Sequence, residues 1–89
     1  MLAARVIDNI WATRKDTALT GLKFMLVELL DGSNSRKIIV ADLIGAGIGE
    51  RVLVSQGGAA RRMLRDDSIP VDAVIVGIID EDCVFWFKY

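Results

Sequence analysis

The chain has 89 residues, enough for one domain with a modest core and too few for two. Hydrophobic residues make up 53% of it and the mean hydropathy is +0.42, a surplus of apolar surface that something else must cover. A net charge of −1 and a pI near 5.2 give no general pull towards nucleic acid or an anionic membrane. With no histidine and one cysteine, the commonest general base is missing and a zinc site is excluded, leaving only a carboxylate magnesium or calcium site formally open.

A membrane is a poor answer to the apolar surplus. Asp42, Glu50, Arg51, Asp80, Glu81 and Asp82 interrupt the richest stretches, and no run approaches the roughly 20 residues of a spanning helix. Met1 to Arg5 has no basic segment leading into an apolar one, so no signal peptide is expected. The single Cys83 cannot form an intrachain disulfide, which agrees with a cytoplasmic protein.

In chain order, Ala3 to Thr13 reads as a first strand and Arg14 to Gly21 as a polar loop. Lys23 to Leu30 is a second strand, with Met25, Val27 and Leu29 on one face and Phe24, Leu26, Glu28 and Leu30 on the other. Asp31 to Ser35 is a dense turn signal, and Arg36 to Leu43 is the returning strand of a hairpin. Ile44 to Glu50 is a glycine-rich connection, and Arg51 to Ser55 is a short fourth strand. Gly57-Gly58 should break it, and Ala59 to Arg65 is the one plausible helix. Pro70 biases Ile69 towards an extended conformation before a fifth strand, Val71 to Ile79. Val84 to Lys88 offers a short sixth. This order points to a small, mainly β barrel or sandwich with one short helix.

The third and fifth strands are apolar on both faces. Val74, Val76 and Ile78 alternate with Ala73, Ile75 and Ile79, and Ile38, Ile39, Val40 and Leu43 repeat the pattern. A sheet with one wet face would alternate apolar with polar. With one short helix available, the second face is expected to lie against another copy; the alternative is that a compact barrel encloses both.

Gly45-Ala46-Gly47-Ile48-Gly49 is G-x-G-x-G and runs into a strand, so it lacks both the spacing and the following helix of a dinucleotide cradle. A backbone held at positive φ, or approached closely by another backbone, explains the glycines better. Arg61, Arg62 and Arg65 on the helix are read as a solvated face, with Arg61 equally suited to an interface anchor. Asp80-Glu81-Asp82 reads as an exposed turn, because consecutive carboxylates point in different directions. The serines and threonines have no histidine to activate them, nothing places Lys15 or Lys23 in a pocket, and Cys83 reads as packing. Trp11, Phe85, Trp86, Phe87 and Tyr89 could stack on bases, but the acidic pI favours aromatic core or subunit contact. No catalytic, cofactor-binding or metal-binding residue is assigned.

Several segments together resemble the EutN/CcmL family, the pentameric vertex proteins of bacterial microcompartment shells. They are Arg5-Val6, Trp11-Ala12-Thr13-Arg14-Lys15, Leu22-Lys23, Leu26-Val27, Val40-Ala41-Asp42, Ile44 to Leu53, Gly57 to Arg61, Pro70 to Ala73 and Val76 to Asp80. They span nearly the whole chain in the family's order. The resemblance implies one vertex domain over residues 1–89, a Greek-key, OB-like barrel of five to six strands that assembles as a ring. It implies a homopentamer around a narrow pore at the five-fold corners of a polyhedral shell in the cytoplasm, with hexameric facet proteins as partners. On that basis Gly45, Ala46, Gly47, Ile48, Gly49 and Glu50 are candidates for lining the axis. Arg61, Asp72 and Asp80 are candidates for subunit contacts, and Trp86 and Phe87 for contact with a facet. Asp8 and Asn9 stand where many members carry glycine, so the first strand is expected to bend differently. The first loop and the G-A-G-x-G-E spelling lean towards a catabolic compartment. The competing reading is an OB-type barrel that binds single-stranded nucleic acid or a small ligand; a small enzyme is the third.

Overall fold

The computed structural model describes residues 1–11, 17–19, 21–32, 34–64 and 71–81, with the side chain of Arg61 left out. Five strands, β1 (Leu2–Ile10), β2 (Lys23–Leu29), β3 (Lys37–Asp42), β4 (Arg51–Gln56) and β5 (Ala73–Ile78), close into a barrel in the order β1-β2-β3-β5-β4. One α-helix, α1 (Gly57–Leu64), joins β4 to β5, and a single 3₁₀ turn covers Thr17–Leu19. The barrel expectation holds, with five strands among the described residues; the proposed sixth, Val84 to Lys88, lies outside them.

Alternation along β2 builds the interior. Met25, Val27 and Leu29 point inward and are buried, packing with Ala4, Val6, Val40, Val52, Val54, Ala73 and Ile75. All neighbouring pairs are antiparallel except β3 with β5, which meet in parallel through Ala41↔Val74 and Asp42↔Ile75. A parallel pair needs a crossover, and β4 with α1 supplies it. Two registers slip. Between β1 and β2 the pairing passes from Val6↔Val27 to Asp8↔Leu26, skipping Ile7, so a bulge falls beside Asp8-Asn9. Between β4 and β5 it passes from Leu53↔Gly77 to Val54↔Ile75, skipping Val76. Bulges of this kind bend a strand and help a short sheet to close.

Three readings are corrected. Gly57-Gly58 do break β4, but they also begin α1, with the Gly57 N–H donating to the Asp72 carbonyl at 2.7 Å. Strict alternation along β5 fails at the skipped Val76. The second face of the sheet is covered in part by the chain itself: Val74 and Ala41 are buried in a second cluster with Ala60 of α1 and Val71, joined by half-buried Phe24, Leu22 and Leu64. Ile39, 55% exposed, is the hydrophobic side chain that remains open on β3. No helix among the described residues is long and apolar enough to cross a membrane.

Met25 is the largest fully buried side chain of the barrel interior. Truncation by Met25→Ala should lower unfolding free energy by about 3 kcal/mol, read as a lower urea midpoint at unchanged slope.

Candidate functional site

The glycine-rich connection between β3 and β4 is built around one carboxylate. Asp42 ends β3 with its side chain fully buried. Its Oδ1 accepts the N–H groups of Ile44 and Gly45, both at 3.0 Å, and its Oδ2 accepts that of Ala46 at 2.8 Å. Lys23, opposite Asp42 in the β2–β3 register, brings its Nζ to 3.9 Å while remaining half exposed. Three consecutive donors turned towards one side chain fold the loop back, and Ala46 drops into the barrel core. Gly45 takes φ +81°, which a side chain would strain.

The second half of the loop is fastened by Glu50. Its Oε1 accepts the Gly47 N–H at 2.6 Å, and its own N–H donates to the Gly47 carbonyl at 3.1 Å. A Cβ at Gly47 would stand 3.1 Å from that same Oε1, so this glycine leaves room for the carboxylate that holds it. The loop is then stitched to β1: Gly49 N–H donates to the Val6 carbonyl at 2.8 Å, and Val6 N–H to the Glu50 carbonyl at 2.9 Å. Arg5 Nη1 donates to the Gly49 carbonyl at 3.2 Å. What the loop shows to the outside is Ile44, Gly45, Gly49, Glu50 and Ile48, the last 60% exposed. The sequence reading placed Gly45–Glu50 as one unit, and the structure shows one fastened loop. Asp42, which organises it, was read as an interruption in an apolar stretch and as part of the matching Val40-Ala41-Asp42 segment, with no role assigned.

Arg51 is the other residue that sequence reasoning missed. It is buried at the start of β4, and its Nη2 donates to the carbonyls of Asp80 at 2.7 Å and Glu81 at 3.0 Å. The Asp80-Glu81 turn is thereby tied to the beginning of β4, beside the end of the loop. A charged residue opening a strand in an apolar barrel was the available signal.

The other candidates are scattered. Asp72 and Asp80 are exposed, at opposite ends of β5. Arg61 falls within α1, and its side chain lies outside the description. Trp86 and Phe87 lie outside the described residues. Trp11 stands 88% exposed beside a groove lined by Ile10, Leu22, Lys23 and Phe24, while the other aromatics considered for stacking, residues 85–87 and 89, fall outside the description.

Comparison with known proteins supplies the family. The sequence profile described as ethanolamine utilisation protein EutN/carboxysome matches residues 1–80. The chain belongs to this family. The carboxysome shell vertex protein CcmL of Synechocystis is 41% identical over 83 residues, covering 90% of this chain and 83% of the relative. The microcompartment shell vertex protein GrpN of Rhodospirillum rubrum is 38% identical over 86 residues, covering 90% and 93%. Among solved structures, the pentameric shell protein of the RMM microcompartment superposes with a TM-score of 0.82 at 34% identity, covering 94% and 95%. Carboxysome and other microcompartment members of the family thus stand at similar identities, and the lean towards a catabolic compartment draws no support from them.

Replacing Asp42 by Ala strands the N–H groups of Ile44, Gly45 and Ala46 and should cost on the order of 3 kcal/mol. Asp42→Asn should fall between that and wild type, since one oxygen can still accept. Lys23→Ala, removing a long and solvated pair, should cost under about 0.5 kcal/mol. Denaturant titration of the three variants ranks them; an equal loss for Lys23→Ala would mean that the ion pair, not the backbone cradle, organises the loop.

Proposed function

We propose that the chain is a structural subunit of a bacterial microcompartment shell, five copies of which form a ring that caps a five-fold vertex in the cytoplasm. The observation that carries this is the agreement, over almost the full length, between this closed five-stranded barrel and shell proteins solved as pentamers. The role is structural, not enzymatic: what the described surface offers is a rigidly fastened loop and exposed aliphatic side chains. A flat array of hexagonal tiles needs pentagonal corners to close, so hexameric facet proteins are the expected neighbours. Trp86 and Phe87 are candidates for that contact.

Within the ring, the Gly45–Glu50 loop is placed at the axis. Its N–H groups at Ile44, Gly45, Ala46, Gly47, Gly49 and Glu50 are all engaged within the chain, so five loops can crowd together without leaving those donors unpaired. Arg61, Asp72 and Asp80 are assigned to subunit contacts. Asp72 lies at the foot of α1, the helix that carries Arg61. The whole of residues 1–89 forms one vertex domain.

Native mass spectrometry over a dilution series tests the ring directly: the expected species has five chains, and a persistent monomer at micromolar concentration removes the proposal. Gly47→Ala should displace the Glu50 carboxylate and Gly45→Ala should strain the turn, so both should weaken the pentamer at matched concentration. If both variants hold five chains as tightly as wild type, the loop is not at the axis. Titration with labelled single-stranded DNA and RNA at low salt should show no binding; affinity falling steeply with salt would instead favour the nucleic-acid barrel.

A further inference from the structure

A five-fold ring cannot be made from one self-complementary patch. Each chain needs two different faces, and one must meet the other on the next copy. The described surface carries a concave face and a convex one. The concave face is a groove of about 400 Å³ lined by Met1, Ser55, Ala59, Arg62, Met63 and Val76, where α1 lies against β4 and β5. Met1 is 80% exposed there and Met63 50%. The convex face is a ridge on the outside of β3, where Ile39 stands 55% exposed beside its half-buried cross-strand neighbour Leu26, with exposed Leu43 farther along.

Position on the barrel sets the two apart. In the closed order β1-β2-β3-β5-β4, the seam between β2 and β3 lies across the barrel from β4. With β5 between β3 and β4, ridge and groove occupy different sides of the barrel, as a heterologous contact that closes a ring requires. The chemistry is also matched. Thioether side chains form adaptable walls for a branched aliphatic group, and Arg62 can lay its stem along the groove while its charge stays in water. Burial of Ile39 would cover the aliphatic side chain that the chain's own helix leaves open on β3.

We infer that the Ile39 ridge of one copy seats in the Met1–Met63 groove of the next, and that five such contacts close the ring. This rests on the proposed pentamer and names the surfaces that make it. Arg61, two positions before Met63 on α1, then lies on the helix that walls the seam.

Disulfide trapping tests it. Cys83→Ser removes the one native thiol, and Ile39→Cys with Met63→Cys installs a pair across the seam. Oxidation of this variant, once shown to be pentameric by native mass spectrometry, should give a non-reducing gel ladder reaching five chains. Either single-cysteine variant should stay at one chain. A pentamer that yields no ladder overturns this seam and leaves the ring standing, whereas a monomeric wild type removes the ring itself. Independently, Ile39→Asp and Met63→Asp lie at exposed positions and should keep the wild-type circular dichroism spectrum while losing the pentamer. Folded variants that remain pentameric overturn the inference as well.

Discussion

Asp42 carries two constraints at once. As the last residue of β3 it belongs to the parallel pairing with β5, the only join that shuts the barrel on that side, and that join is two residue pairs long. Its carboxylate also collects three successive backbone donors of the following loop. Burying a carboxylate is expensive unless its lone pairs are met, and here the loop meets them. The loop needs Asp42 to hold its shape, and the strand end can keep a buried charge because the loop is there. Closure of the barrel and shaping of the loop are thus one local solution.

Arg51 mirrors this arrangement at the other end of the loop. A buried guanidinium at the start of β4 takes the carbonyls of Asp80 and Glu81, where β5 has run out of ladder partners. Between Asp42 and Arg51 the chain crosses from one strand to another whose neighbour in the sheet is β5, and hydrogen bonds to Asp42, Glu50 and β1 fasten that crossing. A connection of this kind can present glycines and isoleucines outward without being mobile. In the proposed ring such a loop would reach its contacts already ordered, whereas ordering a floppy loop would cost free energy at each of five contacts.

Much of this was legible before any coordinates. Met25, Val27 and Leu29 announce an inward face by alternation alone, and the Gly45–Glu50 run announces a constrained loop by its glycines. Other features were hidden for physical reasons. A bulge such as that at Val76 depends on what the partner strand does, so alternation along β5 cannot reveal it. Gly57-Gly58 look like a terminator in isolation and begin a helix because the Asp72 carbonyl, distant in sequence, receives the Gly57 N–H. The second apolar face of β3 and β5 was read as lying against another copy, yet Ala41 and Val74 are buried in a cluster with Ala60 of α1. An eight-residue helix shields more than its length suggests when small residues such as Ala60 let it lie close. The charge of Asp42 and Arg51 in apolar strands was a signal, but their partners were hidden because they are backbone atoms, which every residue possesses and no residue name advertises.

The closed ladder has a consequence for the order of events in building a shell. Each of the five described strands finds its ladder neighbours within its own chain, so the barrel closes without a strand from a partner. In the proposed pentamer, ring formation is then a separate, concentration-dependent step between closed barrels. On the proposed function, the supply of corners would follow how much of this chain accumulates relative to the facets, with no change to the subunit.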